Sequence, residues 1–290
     1  MFDTFERRYV ATNGVRLHTV VGGGGPPLLL LHGYPQSHAM WQAVAPALAE
    51  RFTVVCPDLR GYGDSSKVEG SATHEEYSKR TMAADMIGLM AALGFGRFAV
   101  AGHDRGGRVT HRLCLDHPQA VTQAAVLDII PTATMFETLN RQTALAYYHW
   151  LFLAQPAPLP EKLIGADPDF YLDWTLGAWG TGLAAYAPEA LAEYRRCFAD
   201  ELTIHAMCED YRAAATIDLE HDAADADARI ACPLLVGWGT RGLMARHYDF
   251  MAEWRRKAVT VTPCPIDAGH FLIDEAPDAV TAALAGFFAA

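Results

Sequence analysis

A strand, a tight turn and a helix follow one another around residue 104, and this stretch constrains the fold more than any other. Residues 98–101 are an apolar run that predicts a buried strand, and Gly102 ends it. After Asp104 the spacing of apolar residues over 108–115 predicts a helix. Glycines flank the turn, where backbone segments must approach closely. The pattern predicts a nucleophile elbow that projects the side chain of Asp104 from the end of a sheet.

The residue at the tip of this turn is a carboxylate, which decides the chemistry to expect. A carboxylate nucleophile displaces a leaving group from a saturated carbon and is freed by hydrolysis of the ester that it forms. The alternative is a glycine turn in which Asp104 only caps the following helix. The motif alone favours neither interpretation, so the rest of the chain must decide between them.

The composition limits the classes of protein to consider. The 290 residues are 51% hydrophobic and 20% charged, which suits one large globular domain with an insertion. The net charge of −11 disfavours binding to nucleic acid and to acidic membranes. The six cysteines lack CxxC spacing, so we expect buried free thiols. Residues 1–8 lack a signal-peptide layout and no apolar run reaches membrane-spanning length, so we expect a cytoplasmic protein.

Short apolar strands alternate with amphipathic helices, which predicts an α/β fold with a mainly parallel, doubly wound sheet. The Asn13-Gly14 turn predicts an opening hairpin of residues 6–11 and 15–21. The other predicted strands are 28–31, 53–57, 98–101, 124–129, 233–239 and 259–263, and the predicted helices are 40–52, 81–93 and 277–288. Residues 132–225 are helical and aromatic in pattern, which predicts a helical lid inserted between core segments 1–131 and 226–290.

Asp104, Asp128 and His270 occur in the order nucleophile, acid, histidine, and in this the chain resembles the α/β hydrolases. In that family the acid commonly follows a late strand, but the corresponding loop here, residues 237–242, contains no acid. Asp128, at the end of the predicted strand 124–129, takes its place, a relocation found among dehalogenases of this fold. The alternatives are an ordinary turn residue for Asp128 and an ordinary loop histidine for His270.

Over nearly its full length the sequence resembles the fluoroacetate (haloacetate) dehalogenases. The matching segments are 32–41 (HGYPQSHAMW), 102–108 (GHDRGGR), 126–132 (VLDIIPT), 148–150 (YHW), 152–156 (FLAQP), 208–213 (CEDYRA) and 269–271 (GHF). Epoxide hydrolases and haloalkane dehalogenases usually carry Trp after the nucleophile, where this chain has Arg105. A Trp there suits a neutral substrate, whereas a guanidinium selects an anion. The resemblance implies hydrolysis of haloacetates to glycolate and halide by a homodimer.

Arg105 and Arg108 lie three positions apart at the start of the predicted helix, so both side chains can project beside Asp104. Paired guanidiniums match a planar substrate carboxylate and would hold its neighbouring carbon for attack. The alternative is that both are surface arginines paired with acids. Beside an elbow carboxylate the interpretation as a clamp is favoured.

The second half of the expected reaction needs a base and an oxyanion hole. His270, oriented by Asp128, would take a proton from water so that hydroxide attacks the ester of Asp104. The backbone N–H groups of Tyr34 and Arg105 are the candidate donors to the oxyanion.

The resemblance also assigns a halide pocket to aromatic residues of the lid, namely His149, Trp150 and Tyr211. Fluoride is strongly hydrated, so a dry pocket must supply several hydrogen-bond donors in place of water. Trp179 matches a further aromatic near the family's pocket. From the sequence alone, packing within the lid explains these aromatic residues better.

No cofactor or metal is expected, because the chain carries no phosphate loop, dinucleotide fingerprint or metal-ligand cluster in its sequence. His32 and His103 are interpreted as structural residues of strand-end loops. Two other functions stay open. One is an epoxide hydrolase that shares the elbow, acid and histidine, since a lid tyrosine such as Tyr211 could activate an epoxide oxygen. The other is a catalytically silent protein that binds a small carboxylate.

Overall fold

Eight strands form one sheet in the order β1-β2-β4-β3-β5-β6-β7-β8 in this computed structural model, which describes residues 1–289. The strands are β1 Glu6–Thr12, β2 Val15–Gly23, β3 Pro27–Leu31, β4 Thr53–Pro57, β5 Phe98–His103, β6 Val121–Leu127, β7 Leu234–Gly239 and β8 Val261–Ile266. β2 pairs antiparallel with β1 and β4, and every other neighbouring pair is parallel. The predicted mainly parallel α/β sheet is confirmed.

The central strands are short apolar runs because both of their faces are covered. Every residue of β5 is buried, as are residues 28–31 of β3. Parallel strands point the same way, so their carboxyl ends meet at one edge of the sheet. Asp104 follows β5 directly, Asp128 follows β6, and His270 follows β8 after a short loop. The topology therefore gathers these residues at a single edge.

Most helices fall in one long insertion between β6 and β7. The helices before it are α1 Ala45–Leu48, α2 Lys79–Ala92 and α3 Arg105–Asp116. The inserted helices are α4 Thr132–Glu137, α5 Arg141–Ala146, α6 Tyr148–Leu153, α7 Leu159–Gly165, α8 Pro168–Trp179, α9 Pro188–Phe198, α10 Glu201–Ala215 and α11 Ile217–Ala224. Those after it are α12 Leu243–His247, α13 Phe250–Lys257, α14 Leu272–Glu275 and α15 Pro277–Phe288. We call residues 132–225 the helical segment.

Three details of the predicted elements are wrong. β6 covers Val121–Leu127 and not 124–129, so Asp128 follows the strand and does not lie within it. A 3₁₀ turn, His38–Trp41, and the single turn α1 replace the predicted helix 40–52. Pro46 accounts for the break, because proline lacks an N–H and fits only the first turn of a helix. β8 begins two residues later than predicted and continues through Pro263 and Pro265. It is an edge strand, where prolines leave no ladder hydrogen bond unmade.

Within residues 1–289, no helix is both long and apolar enough to span a membrane. All six cysteines are free thiols, as the sequence predicts, but only four are buried, since Cys232 and Cys264 are half-buried.

Candidate active site

Asp104 stands at the turn between β5 and α3 in a left-handed backbone conformation, with φ +47° and ψ −115°. Such strain in a residue with a side chain persists only where the surroundings enforce it. A Cβ on Gly102 would lie 2.2 Å from the carbonyl oxygen of Gly106, and one on Gly106 would lie 2.3 Å from that of His32. The glycines therefore permit the close packing that holds the turn and the projecting carboxylate in place.

The two oxygens of the Asp104 carboxylate have different surroundings. The backbone N–H of Tyr34 donates to Oδ1 at 2.9 Å, while Oδ2 lies 3.9 Å from Nε2 of His270. Burial raises the pKa of Asp104, but the positive charges of His270 and of the two following arginines outweigh burial and lower it. The carboxylate therefore stays ionised, with one oxygen held and the other facing the imidazole.

Asp128 and His270 form the hydrogen-bonded pair that the sequence predicts. Nδ1–H of His270 donates to Oδ2 of Asp128 at 2.6 Å, and the backbone N–H of Gly239 donates to Oδ1 at 3.0 Å. Burial lowers the pKa of His270, but the hydrogen bond and charge of Asp128, together with the charge of Asp104, outweigh burial and raise it. The pair fixes the imidazole with Nε2 directed towards Asp104.

The backbone of His270 is anchored on both sides, by His103 and by Trp179. Nε2–H of His103 donates to its carbonyl oxygen at 2.8 Å, and its own N–H donates to the carbonyl oxygen of Trp179 at 3.2 Å. Burial, followed by the charge of His270, lowers the pKa of His103 to about 3, so His103 stays neutral. These contacts support the predicted structural role of His103 and tie the imidazole to the helical segment.

The two arginines beside Asp104 differ in their partners. Arg105 is fully buried, and its guanidinium donates from Nε at 3.0 Å and from Nη2 at 2.5 Å to the carboxylate of Asp210. Arg108 donates from Nη1 to the carbonyl oxygen of Ile130 at 2.9 Å and to the hydroxyl of Thr132 at 3.1 Å. Within residues 1–289 no acid forms an ion pair with Arg108. The prediction of two equivalent guanidiniums is therefore corrected, because Arg105 is paired with an acid and Arg108 is not.

The aromatic residues predicted for the halide pocket lie together. The ring centroids of His149 and Trp179 are 4.0 Å apart, and those of Trp150 and Tyr211 are 5.6 Å apart. Nδ1 of His149 and the hydroxyl of Tyr211 are buried, and neither meets a hydrogen-bond partner within residues 1–289. Burial lowers the pKa of His149 and raises that of Tyr211, so both stay uncharged. The cluster is a buried surface with unused hydrogen-bonding groups.

A small cavity joins the end of the sheet to the helical segment. The centre of a water molecule can move within about 20 Å³ of this cavity, so the cavity holds about one or two waters. It is lined by Asp104, Arg108, Asp128, Tyr147, His149, Trp150, Trp179, Leu243, Met244 and His270. Arg105 and Tyr211 are fully buried behind this lining, with the guanidinium carbon 4.3 Å from the ring centroid. The predicted site residues thus form one cluster in two layers.

A sequence model described as the alpha/beta hydrolase fold matches residues 26–277, which is most of the chain. The chain belongs to the alpha/beta hydrolase family. The predicted fold class is thereby confirmed, and the comparisons with individual proteins refine it.

Three similar proteins place this hydrolase more closely. A fluoroacetate dehalogenase from Burkholderia sp is 51% identical over 96% of this chain and 92% of its own. A soluble epoxide hydrolase from Corynebacterium sp. (strain C12) is 34% identical over 96% of this chain and 95% of its own. A crystal structure of an alpha/beta hydrolase-fold protein from Nostoc sp PCC 7120 has a TM-score of 0.98 and 53% identity, covering 99% of each chain. The predicted resemblance to fluoroacetate dehalogenases is confirmed.

Sequence reasoning missed three residues of the cavity lining in this hydrolase. Tyr147 precedes α6, and Leu243 and Met244 begin α12 after β7. The hydroxyl of Tyr147 is buried and meets no hydrogen-bond partner within residues 1–289. Its position beside the YHW segment was the available signal for Tyr147, while two apolar residues at the start of a short helix carry no chemical signature.

A second polar cluster has the composition of a metal site but not its chemistry. His18, His38 and Asp58 are buried with their ligand atoms within 4.8 Å of one another. Nδ1–H of His18 and Nδ1–H of His38 donate to separate oxygens of Asp58, at 2.8 and 2.9 Å. The backbone N–H groups of Asp64 and His38 donate to the same two oxygens. The carboxylate is thus saturated by hydrogen bonds, which indicates a brace between loops.

Proposed function

We propose that this hydrolase converts fluoroacetate or chloroacetate and water into glycolate and halide through an ester of Asp104. One observation carries the proposal: a small cavity contains an elbow carboxylate together with Arg108, a buried arginine without an ion-pair partner among residues 1–289. A buried cation that lacks a counter-charge favours an anionic ligand. A haloacetate brings a carboxylate for Arg108 and an adjacent carbon for Asp104.

In the first step the substrate carboxylate binds Arg108, with the remaining donor of Arg105, Nη1, available behind the lining. Oδ2 of Asp104 attacks the halogen-bearing carbon, a new C–O bond forms, and the halide leaves with the electron pair of the C–X bond. Oδ1 stays with the N–H of Tyr34, so the carboxylate is oriented for in-line attack.

In the second step His270 acts as the base. Ester formation removes the charge of Asp104, which is one of the charges that raise the pKa of His270. The imidazole is then neutral over more of the pH range and takes a proton from water through Nε2. Hydroxide attacks the ester carbonyl, whose oxyanion accepts from the N–H groups of Tyr34 and Arg105. The bond between the ester carbonyl carbon and the glycolate oxygen breaks, and that oxygen takes the proton from His270. Asp104 is left as the acid with the second proton of the water, and it releases this proton to solvent because its pKa is lowered.

The departing halide would accept hydrogen bonds from His149, Trp150 and Tyr211. His149 and Tyr211 carry unused polar atoms in a buried setting, where the desolvation cost of a halide is offset only by such donors. Because both side chains stay uncharged, they offer donors without holding the product as an ion pair would. Trp179 would separate these three halide-binding side chains from His270.

The test is halide release from fluoroacetate and chloroacetate, followed with ion-selective electrodes, with glycolate quantified in parallel. We expect equal amounts of halide and glycolate. Release of neither product from either substrate would overturn the proposal.

An epoxide hydrolase activity is the second candidate, because the hydroxyls of Tyr147 and Tyr211 are both buried without partners among residues 1–289. Such hydroxyls could donate to an epoxide oxygen while Asp104 opens the ring. Incubation with styrene oxide, read as diol formation, tests this candidate. Diol formation without halide release would favour it, while binding of acetate without either reaction would favour a silent carboxylate-binding protein.

We propose further that the helical segment is a lid domain over the cavity and that its outer face joins two copies of the chain. Three contacting helices, α7, α8 and α10, carry large exposed apolar side chains. Leu163, Phe170, Trp174 and Leu202 are 59%, 63%, 56% and 62% exposed. Light scattering should find a dimer that Trp174→Glu dissociates. The free thiols suit a cytoplasmic enzyme.

A further inference from the structure

Asp210 is the binding partner of the arginine that follows the nucleophile. Its carboxylate accepts from Nε and Nη2 of Arg105, and its backbone carbonyl accepts from Nη2 at 2.9 Å. Both side chains are fully buried. Only Nη1 of Arg105 is left without a partner among residues 1–289. A helix of the helical segment, α10, thereby fixes the first residue of the elbow helix.

Asp210 belongs to a larger group of buried charges. Nζ of Lys79 donates to Oδ1 of Asp210, and the hydroxyl of Tyr62 donates to Oδ2 at 2.7 Å. Lys79 also lies 3.6 Å from Oδ2 of Asp218, which accepts the backbone N–H of Lys79 at Oδ1. The order along the group is Asp218, Lys79, Asp210, Arg105, so anions and cations alternate and their charges cancel.

Arg108 stands outside this group. Its partners are the carbonyl oxygen of Ile130 and the hydroxyl of Thr132, which carry no charge. Burial, followed by the charge of Arg105, lowers the pKa of Arg108 to about 10, which still leaves it protonated at neutral pH. Of the two arginines beside Asp104, only Arg108 therefore brings an uncancelled positive charge to the cavity.

We propose that Asp210 is a positioning residue that cancels the charge of Arg105 and so limits how tightly the cavity holds anions. The inference rests on the proposed function and deepens it. A second uncancelled cation beside Asp104 would stabilise bound substrate, glycolate and halide, and also the nucleophile itself. Cancelling the charge leaves Arg105 as a neutralised, rigid donor through its backbone N–H and Nη1. The anionic products can then leave, and Asp104 keeps its reactivity.

The test is the affinity for acetate, a non-reactive carboxylate, measured by calorimetry at constant ionic strength and neutral pH. Asp210→Asn keeps the shape but removes the negative charge, so acetate should bind about fivefold more tightly and kcat for chloroacetate should fall. Lys79→Met removes a positive charge, so acetate should bind about threefold more weakly. The double variant should return to the wild-type affinity. Opposite signs distinguish a role in charge from a role in packing, since loosened packing weakens binding in both variants.

Two controls accompany the variants. Asp200→Asn makes the same substitution at the exposed start of α10, and it should leave acetate affinity unchanged. Binding of acetamide, which has the shape of acetate but no charge, should not respond to any of the substitutions. Thermal unfolding reports whether each variant is folded, because removing one charge of a buried pair strongly destabilises a protein.

Shifts of the same sign in Asp210→Asn and Lys79→Met, or no shift in either, would overturn the inference. If Asp210→Asn does not fold, Lys79→Met and the double variant decide. Weaker binding that the double variant restores supports the proposal, and unchanged binding in Lys79→Met overturns it. The result is separable from the proposed function, since acetate binding needs no turnover. If the two variants shift the acetate affinity in opposite directions but the protein releases no halide, the proposal for Asp210 is supported and the proposed dehalogenase function is rejected.

Discussion

The edge of the sheet and the helical segment contribute opposite kinds of surface to the same cavity. At the sheet edge the two carboxylates of the predicted triad have hydrogen-bond donors: Asp128 accepts from His270 and Gly239, and Asp104 accepts from Tyr34. In the helical segment the polar groups of His149 and Tyr211 stay unmatched among residues 1–289. The triad carboxylates at the sheet edge are thus held by donors, whereas the aromatic residues of the helical segment have polar atoms without partners, as do Nη1 of Arg105 and Nε of Arg108 among residues 1–289.

This difference indicates that the sheet edge and the helical segment have different roles in the reaction that we propose. A matched network holds catalytic groups in one geometry and tunes their pKa values, as the raised pKa of His270 illustrates. Unmatched buried groups are costly to the folded protein, and they are retained where a ligand completes them. The sheet edge would therefore perform the bond chemistry, while the helical segment would receive the leaving group.

The first prediction concerns the sheet edge, where we expect the largest loss of activity. His270→Ala should leave halide displacement intact but slow ester hydrolysis about 10³-fold, because the water loses its base. Intact-mass spectra after mixing with chloroacetate should then gain a stable adduct on the peptide that contains Asp104. Halide release in excess of the enzyme, with no adduct, would contradict the covalent route.

Arg108→Met should reduce kcat/KM for chloroacetate about 10²-fold, mainly through KM, because charge-assisted hydrogen bonds to the substrate carboxylate are lost. The matched control is Arg112→Met, one turn further along α3. Arg112 pairs with Asp116 and Asp225 outside the cavity lining, so the control should lower the melting temperature and leave KM unchanged. Equal KM values in both variants would remove Arg108 from substrate binding.

Turnover should fall about tenfold for each pH unit below the pKa of His270, because a protonated imidazole cannot accept a proton from water. In the free enzyme Asp128 and the charge of Asp104 together raise the pKa of His270, and the ester keeps only Asp128, so the fall should begin below the pKa that His270 has in the free enzyme. The pKa of Asp104 is lowered, so this carboxylate stays ionised over the same range. Rapid-quench measurements at low pH should retain a burst of halide. A burst lost together with turnover would place the titration in the first step instead.

The last prediction concerns the helical segment, where we expect the smallest loss of activity. Tyr211→Phe keeps the ring beside Arg105 but removes one donor, so fluoride release should slow about fivefold and chloride release less. The comparison of fluoroacetate with chloroacetate in one variant is its own control, because fluoride is the poorer leaving group. An equal loss for both halides would mean that Tyr211 acts through packing.

The sequence was sufficient for the residues at the sheet edge. Asp104 and His270 follow predicted strands and Asp128 lies at the end of one, and parallel strands bring these ends together at one edge of the sheet. The partner of Arg105 was not predictable, because Asp210 lies 105 positions away on a helix of the helical segment. Leu243 and Met244 were missed for a related reason, since apolar side chains of a short helix look alike in sequence whether they face a cavity or the core.

By itself the sequence determined the alternation of strands and helices, the glycines that admit the strained turn at Asp104, and the order of the three catalytic candidates. These follow from local rules of period, turn geometry and chain direction. Only the tertiary structure decided that one arginine is neutralised by Asp210 while Arg108 keeps its charge. The physical reason is that electrostatic energy depends on distance and burial, and both are settled when distant segments pack together.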